Sequence, residues 1–301
     1  MFLAVEPHAG VRPLVTIVRR ARTTVDLNVY ILSSRPLLAA LRRAARRGVR
    51  VRVILDRRPY GLSRRWVARE ARRVQATGAR LHWAPARFER GPGHTAFDHA
   101  KYLCTAHVCE LGTANFDWSA FHRNREYLVV TARPPIVAAL HRVFDADWHD
   151  RRAGLTAHRA LVLSPGTSAS ALLRVLGQPD AVDVESEELG GDRAILAAVA
   201  RRGRRVRLLL PATLSAYDQR QAKALARDGV CVRLLPRHPL YLHAKMIVGQ
   251  RLGFVGSENF TETSLERNRE VGILLRGPIL VRLRAVFERD WRRGRALTTC
   301  R

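Results

Sequence analysis

Lysine is almost absent from this sequence. Only Lys101, Lys223 and Lys245 occur among its 53 cationic residues, so the remaining 50 are arginines. Acidic residues number only 26, which leaves a formal net charge of +27. A charge of this size favours a polyanionic partner, either nucleic acid or an anionic membrane surface. Arginines on a solvated surface would give the same total, so composition alone does not choose the partner.

Long hydrophobic runs are absent as well. No uninterrupted apolar run approaches the roughly 18 residues that a membrane-spanning helix needs. Residues 1–5 are apolar but carry neither a basic leader nor a long apolar core, and we interpret them as a strand rather than a signal peptide. With hydrophobic residues at 47% of the chain, we expect a soluble globular monomer, cytoplasmic or peripheral to a membrane.

Cysteine is also scarce. The four cysteines, Cys104, Cys109, Cys231 and Cys300, show neither a zinc-type spacing nor the density of a disulfide scaffold. Cys104 and Cys109 could face each other across a hairpin, but we expect buried free thiols.

One stretch of the sequence occurs twice, at an interval of 144 residues. Two of the three lysines hold equivalent places in it, two residues after a histidine. The repeat and the chain length predict two units, 1–150 and 159–301, joined by a linker at 151–158. The first copy consists of His99-Ala100-Lys101, Gly112-Thr113-Ala114-Asn115 and Asn124-Arg125-Glu126, and the second of His243-Ala244-Lys245, Gly256-Ser257-Glu258-Asn259 and Asn268-Arg269-Glu270.

Each unit alternates strand and helix patterns. Runs rich in β-branched residues at 25–31 and 49–55 flank a helical pattern, and runs at 182–185 and 206–210 do the same in the second unit. Strand, helix and strand in short order predict an α/β fold with parallel strands. A duplication with one motif in each half indicates a pseudo-twofold arrangement in which the motif loops meet.

The histidine and the lysine of each motif would point to the same side of a strand, because side chains two residues apart share a face. A neutral imidazole can attack phosphorus or carry a proton, and a lysine beside it supplies a fixed positive charge for a phosphate oxygen. Glu126 and Glu270 could accept a hydrogen bond from the second nitrogen of a histidine and so fix its tautomer.

Short neutral donors follow a glycine in each copy. Thr113 and Asn115, like Ser257 and Asn259, have side chains suited to phosphate oxygens. The glycine before them allows the backbone to approach closely. We therefore predict that these four residues bind a phosphate group.

The motifs resemble the signature of the phospholipase D superfamily, His-X-Lys, four residues, Asp, and then Gly-Ser/Thr-X-Asn. The resemblance covers nearly the whole chain. It implies two α/β/α sandwich halves related by a pseudo-twofold axis, with both motifs in one cleft. It also implies a phosphohistidine intermediate without any metal or other cofactor. Carried over, it makes His99 and His243 the nucleophile and the general acid/base, with His99 favoured as nucleophile; Lys101, Lys245, Asn115 and Asn259 would hold the phosphate, and Glu126 and Glu270 would each orient a histidine.

The signature aspartate is missing from both copies. Ala106 replaces it in the first copy and Gln250 in the second. This position lies at the far end of the motif strand from the histidine, so we expect the aspartate to be structural rather than chemical.

The segment at 112–121 resembles that of bacterial cardiolipin synthases. We therefore interpret the chain as a phospholipase D-type phosphodiesterase or phosphatidyltransferase that acts on phospholipid or at an anionic membrane surface. Five aromatic residues near the motifs could meet acyl chains or stack on bases, with core packing as the alternative for each: Phe97, Phe116, Trp118, Phe121 and Phe260.

Two other functions stay open. An endonuclease using the same two histidines is favoured by the net charge of +27 and by a basic turn with Arg57 and Arg58. A catalytically weak protein that binds nucleic acid or an anionic membrane is favoured by the two missing aspartates.

Overall fold

The strand-forming runs build two sheets, one from each half of the chain. The structure is a computed structural model that describes residues 1–91 and 93–297. The strands of the first half are β1 (Phe2–Glu6), β2 (Thr24–Val29), β3 (Arg50–Leu55), β4 (Arg80–Trp83), β5 (Lys101–Thr105), β6 (Cys109–Gly112) and β7 (Asn124–Thr131). Those of the second half are β8 (Val162–Ser164), β9 (Val182–Ser186), β10 (Val206–Pro211), β11 (Cys231–Leu235), β12 (Tyr241–Leu242), β13 (Lys245–Val248), β14 (Gly253–Gly256), β15 (Glu270–Leu275) and β16 (Arg295–Ala296).

The two sheets have the same topology. The first has the order β1-β7-β6-β5-β2-β3-β4, and the second has the order β8-β15-β14-β13-β9-β10-β11, with β16 added at the edge. In each sheet three parallel strands, β2-β3-β4 or β9-β10-β11, join four antiparallel ones. The predicted α/β fold, built from two equivalent halves, is confirmed.

Helices cover both faces of each sheet. The first sheet packs against α1 (Arg12–Arg20), α2 (Arg35–Arg46) and α3 (Arg64–Gln75) on one face, and the second against α7 (Ser168–Leu176), α8 (Arg193–Arg202) and α9 (Ala216–Arg227). Helices α5 (Pro134–Trp148) and α11 (Ile279–Arg293) pack on the other faces. The short helices are α4 (Trp118–His122), α6 (Leu155–Ala160) and α10 (Glu262–Glu266).

One hydrophobic core belongs to both halves. It joins Tyr102 and Tyr127 from the first sheet to Met246 and Ile273 from the second, and it includes the buried faces of α5 and α11. Two further cores lie behind the sheets, one in each half. Helix α6 occupies part of the proposed linker, whose role as a domain boundary stays a prediction.

Two buried ion pairs connect the halves. Arg125 Nε lies 2.5 Å from Asp290 Oδ2, and Arg269 Nε lies 2.8 Å from Asp147 Oδ2. Arg125 and Arg269 are equivalent residues of the repeat, and each reaches the closing helix of the opposite half, α11 or α5. The pairs are therefore reciprocal, as a pseudo-twofold interface requires.

The expectation of buried free thiols is wrong. Cys104 and Cys109 form a disulfide, and no cysteine within residues 1–91 and 93–297 is free. The two cysteines are directly paired across the β5–β6 hairpin, with Cα atoms 4.1 Å apart. His141 lies beside the sulfur atoms, and this is the one group of three candidate metal ligands that comes together among the described residues. The disulfide leaves no thiolate there for a metal. Cys300 lies outside the described residues.

Within residues 1–91 and 93–297, no helix is both long enough and apolar enough to cross a membrane.

Candidate active site

Strand pairing between the halves brings the two motifs together. Lys101 and Lys245 open the equivalent strands β5 and β13, and each histidine stands two residues earlier. The His99 backbone N–H donates to the Arg269 carbonyl at 2.9 Å, and β12, just before His243, pairs with β7. Each histidine segment is thus docked against the opposite half, at the place where that half presents its glutamate.

The glutamates orient the histidines of the opposite half. His99 Nδ1 lies 3.0 Å from Glu270 Oε2, and His243 Nδ1 lies 2.8 Å from Glu126 Oε1. A carboxylate at Nδ1 holds the proton on that nitrogen, which leaves Nε2 free to act as a nucleophile or to carry a proton. The structure therefore has one site with crossed histidine–glutamate pairs, and neither half contains a complete pair.

The hydroxyls at Thr113 and Ser257 are engaged inside the protein. Thr113 Oγ1 donates to Glu126 Oε2 at 2.6 Å and accepts from the Tyr127 N–H at 2.9 Å. Ser257 Oγ accepts from the Val271 N–H at 2.9 Å. Both hydroxyls therefore make internal hydrogen bonds that support the histidine–glutamate pairs. That they also contact a phosphate group stays a prediction.

The two motif asparagines keep unused polar atoms at the site. Asn115 Oδ1 and Asn259 Oδ1 are buried, and neither finds a hydrogen-bond partner within the described part of the chain. The glycines before them permit tight packing, since a Cβ on Gly112 would lie 2.0 Å from the Tyr127 carbonyl oxygen. A buried amide oxygen without an internal partner is available to accept a hydrogen bond from a ligand.

The lysines point back at their own histidines. Lys101 Nζ donates to the His99 carbonyl at 2.7 Å, and Lys245 Nζ donates to the His243 carbonyl at 2.7 Å. Both side chains are fully buried. Burial lowers the pKa of Lys101 to about 7, and the positive charge of Lys245 contributes to the shift. The positive charges of the two lysine side chains therefore repel each other within one cluster.

His99 is held in its neutral form. Burial lowers its pKa to about 4, and the charges of Lys101 and Lys245 act in the same direction against Glu270. Burial alone would raise the pKa of Glu270, but His99 and Lys101 hold it below its usual value. Near neutral pH the pair consists of a neutral imidazole and a carboxylate, which is the state that a nucleophilic nitrogen needs.

Glu187 is a site residue that the sequence analysis missed. Its Oε2 lies 2.7 Å from Lys245 Nζ and 3.2 Å from His243 Nε2. Its Oε1 accepts from the Tyr241 hydroxyl at 3.1 Å. Burial would raise the pKa of Glu187, but the charges of His243 and Lys245 lower it to about 2. Between Glu126 and Glu187, a protonated His243 has an acceptor for each ring N–H.

The first half has an aromatic side chain where the second has this carboxylate. Tyr30 is the first residue after β2, as Glu187 is after β9, and its ring lies 4.8 Å from the His99 ring. Lys101 Nζ lies 5.3 Å from the centre of the same ring. The His99 side of the site therefore faces a neutral ring, and the His243 side faces an anion. This asymmetry separates the two histidines chemically.

A sequence signal for Glu187 did exist. The strands β2 and β9 contain the matching dipeptides Val25-Asp26 and Val182-Asp183, which lie 157 rather than 144 residues apart. Aligning these dipeptides places Glu187 opposite Tyr30. The different interval hid the correspondence from a comparison that used 144 throughout.

The two positions where the signature aspartate is replaced lie away from this cluster. Ala106 and Gln250 are in the turns that follow β5 and β13, at the opposite strand ends from the histidines. The position at the far end of each motif strand is as expected, and a structural rather than chemical role for the aspartate stays a prediction.

The aromatic residues near the motifs differ in environment. Phe116, Phe121 and Phe260 are buried in the cores, as the packing alternative predicted. Phe97 is partly buried. Trp118 is 53% exposed and is the one member of the set available to a substrate or a surface.

The fold and the crossed pairs define a protein of duplicated architecture whose two halves build one site. The chain belongs to the phospholipase D superfamily, because the family described as "Cardiolipin synthase, PLD-like domain" matches residues 14–148 and 186–291. Phosphoryl transfer is the chemistry of this superfamily. No curated protein matches the sequence.

Solved structures share the fold at low sequence identity. Polyphosphate kinase from Porphyromonas gingivalis is similar with a TM-score of 0.70 and 17% identity, over 97% of this chain and 47% of that one. This chain thus spans about half the length of the kinase. Phosphatidylserine synthase from Haemophilus influenzae Rd KW20 has a TM-score of 0.67 and 11% identity, over 95% of this chain and 85% of that one. The phospholipase D family member Nuc from Salmonella typhimurium has a TM-score of 0.43 and 20% identity, over 51% and 96% of the two chains.

Replacing Glu187 by glutamine is expected to increase the affinity for inorganic phosphate about tenfold or more. A like charge at about 4 Å costs up to ~4 kcal/mol at an effective dielectric constant of about 20. Isothermal titration calorimetry with phosphate measures the change. Tyr241→Phe is the matched control, because it removes the hydrogen bond to Glu187 but keeps the charge. Equal phosphate affinity in wild type and Glu187→Gln would show that the carboxylate does not oppose an anion.

Proposed function

We propose that this protein is a phospholipase D-type phosphodiesterase or phosphatidyltransferase acting on phospholipid, with His99 as nucleophile and His243 as general acid and base. The observation that supports this most is the crossed arrangement at the histidines. His99 is neutral, with Glu270 at Nδ1, while His243 lies between Glu126 and Glu187. One histidine is suited to attack and the other to hold a proton.

The first step forms a phosphohistidine. The Nε2 lone pair of His99 attacks phosphorus while the bond from phosphorus to the leaving oxygen breaks, and His243 gives its proton to that oxygen. Lys101, Lys245 and the two motif asparagines would stabilise the charge on the non-bridging oxygens.

The second step returns the enzyme to its starting state. A water or alcohol oxygen attacks phosphorus, and the phosphorus–nitrogen bond to His99 breaks. His243, now neutral, takes the proton of the attacking hydroxyl. Water as acceptor gives hydrolysis, and an alcohol gives transfer of the phosphatidyl group.

A lipid substrate is supported by the family match and by exposed aromatic groups. The description of the matching family names cardiolipin synthase. Trp118 follows the first phosphate-binding segment and is 53% exposed. Tyr60, whose backbone N–H donates to the Tyr30 hydroxyl beside His99, is 76% exposed. Exposed Trp and Tyr side chains suit the boundary between water and lipid.

The substrate is tested with purified protein in EDTA. Vesicles of phosphatidylglycerol or phosphatidylcholine are offered in parallel with single- and double-stranded DNA. Release of glycerol or choline without nicking is the expected result. Nicking without head-group release would contradict the lipid assignment and favour an endonuclease, which the net charge of +27 supports as the second candidate.

The dependence of kcat/KM on pH is expected to be bell-shaped. The acid limb follows His99, which loses its nucleophilic lone pair when it is protonated below a pKa of about 4. The alkaline limb follows Lys101, which loses its charge above a pKa of about 7. In kcat the alkaline limb should move upward, because bound phosphate stabilises the ammonium group. Rates measured from pH 3.5 to 9 test this, and a kcat/KM that keeps rising above pH 8 would contradict it.

A further inference from the structure

A cavity of about 810 Å³ opens beside His243. Its wall includes His243 and Asn115 but not His99, so it continues the active site on one side. In an in-line displacement the leaving group lies opposite the attacking atom. With His99 as nucleophile, the cavity is where the leaving alcohol, and later the accepting alcohol, would lie.

The wall of this cavity carries two positive charges, on Arg123 and Arg237. His122, Arg123, Arg237 and His238 line it, and all four side chains are exposed. Within the described part of the chain, neither arginine has a carboxylate at ion-pair distance. The carboxylate in the wall, Asp117, is engaged as the N-cap of α4 and accepts from the Ala120 N–H at 2.8 Å.

Trp118 holds two of these groups in place. The His122 ring stacks on its indole at 4.9 Å, and the Arg123 guanidinium lies 4.8 Å from the same ring system. Stacking on an indole restricts a long side chain without neutralising its charge. The positive charge of Arg123 is therefore partly ordered before any ligand arrives.

The equivalent positions of the second copy carry a different set of charges. Glu266 stands where the first copy has His122, and Arg267 stands where it has Arg123. Arg267 is paired with Glu262 at 2.6 Å. Of these two equivalent arginines, Arg123 is therefore the one without a carboxylate partner among the described residues. It lies on the side of His243, where the leaving alcohol would bind.

We propose that this cavity is a second anion subsite, which binds a phosphate group carried by the alcohol that leaves or accepts at His243. The proposal rests on the proposed function and deepens it, because it names the class of head group. A phospholipid head group or acceptor that bears its own phosphate, such as a glycerophosphate, fits the wall. A cationic head group such as choline is disfavoured by Arg123 and Arg237.

The test compares lipids that differ by one phosphate. Values of kcat/KM are measured for short-chain phosphatidylglycerol and for phosphatidylglycerophosphate with the same chains. The wild-type ratio should favour the phosphorylated head group about tenfold or more, since a charged hydrogen bond contributes roughly that factor. Arg123→Ala and Arg237→Ala should each lower the ratio about tenfold, and the matched control Arg267→Ala should leave it unchanged. A ratio near one in the wild type, or a ratio unaffected by both variants, overturns the subsite.

Two further measurements separate this proposal from the proposed function. Bis(4-nitrophenyl) phosphate reports the two-histidine chemistry with a leaving group that carries no phosphate, so its hydrolysis without lipid preference would overturn the subsite alone. If no diester is cleaved, the proposed function fails, and calorimetric binding of glycerol 3-phosphate still tests the subsite. Binding weakened about tenfold by Arg123→Ala but not by Arg267→Ala supports it, and no binding to the wild type overturns it. Cleavage of an oligodeoxynucleotide but of neither lipid would assign the cavity to a nucleic-acid strand and overturn the lipid head group.

Discussion

Replacing His99 by alanine is expected to lower turnover of every diester substrate by at least about 1,000-fold, because the covalent step loses its nucleophile. The loss should be the same for alkyl and nitrophenyl leaving groups, since both need the attack by Nε2. Steady-state kinetics with a phospholipid and with bis(4-nitrophenyl) phosphate measure it.

His243→Ala is the matched comparison. It should cost about 10²–10⁴-fold with an alkyl leaving group, the range for a lost general acid or base. With bis(4-nitrophenyl) phosphate the variant should still release about one equivalent of nitrophenolate, because this leaving group departs without a proton, and then stall before hydrolysis. The reverse pattern, with a burst in His99→Ala and none in His243→Ala, would exchange the two roles.

Replacing Arg269 by methionine is expected to lower the free energy of unfolding by about 3–5 kcal/mol, because it leaves the buried Asp147 carboxylate with only the longer contact to Arg87, at 3.4 Å. Arg269 donates to Asp147 through Nε at 2.8 Å and Nη2 at 2.9 Å, and to the Ser164 carbonyl through Nη1 at 3.0 Å. Both side chains are almost fully buried between the halves. Urea denaturation followed by circular dichroism measures the loss.

Two further variants define the cause. Arg269→Met combined with Asp147→Leu should recover much of the lost stability, because a hydrophobic pair of similar size removes the unpaired charge. Arg267→Ala, two residues away and exposed, should change the unfolding free energy by about 0.5 kcal/mol or less. A loss in Arg269→Met no larger than in Arg267→Ala would show that the buried pair does not hold the halves together.

The repeat was sufficient to predict that the residues of the two motifs come together, because equivalent residues occupy equivalent strand ends. His99 and His243 precede β5 and β13, and their lysines open those strands. Strand alternation and the interval of 144 are local properties of the chain, so they can be read without knowing how the sheets dock.

The partners of these residues could not be predicted in the same way. That Glu270 serves His99 and Glu126 serves His243 depends on how one sheet packs against the other, and no spacing within a half records it. Glu187 was missed for a different reason. The first half has 13 more residues than the second between this strand and the histidine motif, so the interval at the strand is 157 rather than 144.

The disulfide shows the limit of composition as evidence. Four cysteines in 301 residues do not resemble a disulfide scaffold, but the register of one hairpin sets Cys104 directly opposite Cys109. That register follows from the short turn after β5, which also contains the position of the missing aspartate, Ala106. Local pairing geometry therefore outweighed the overall cysteine count.

The measurement that most directly tests the central claim is the identification of the phosphorylated residue. Protein mixed with ³²P-labelled diester substrate is quenched in alkali within the first turnover, digested and analysed by mass spectrometry. The account predicts acid-labile, alkali-stable phosphate on the peptide that contains His99, and its accumulation in His243→Ala. Label on the peptide that contains His243, or turnover with no phosphohistidine on either peptide, would contradict it.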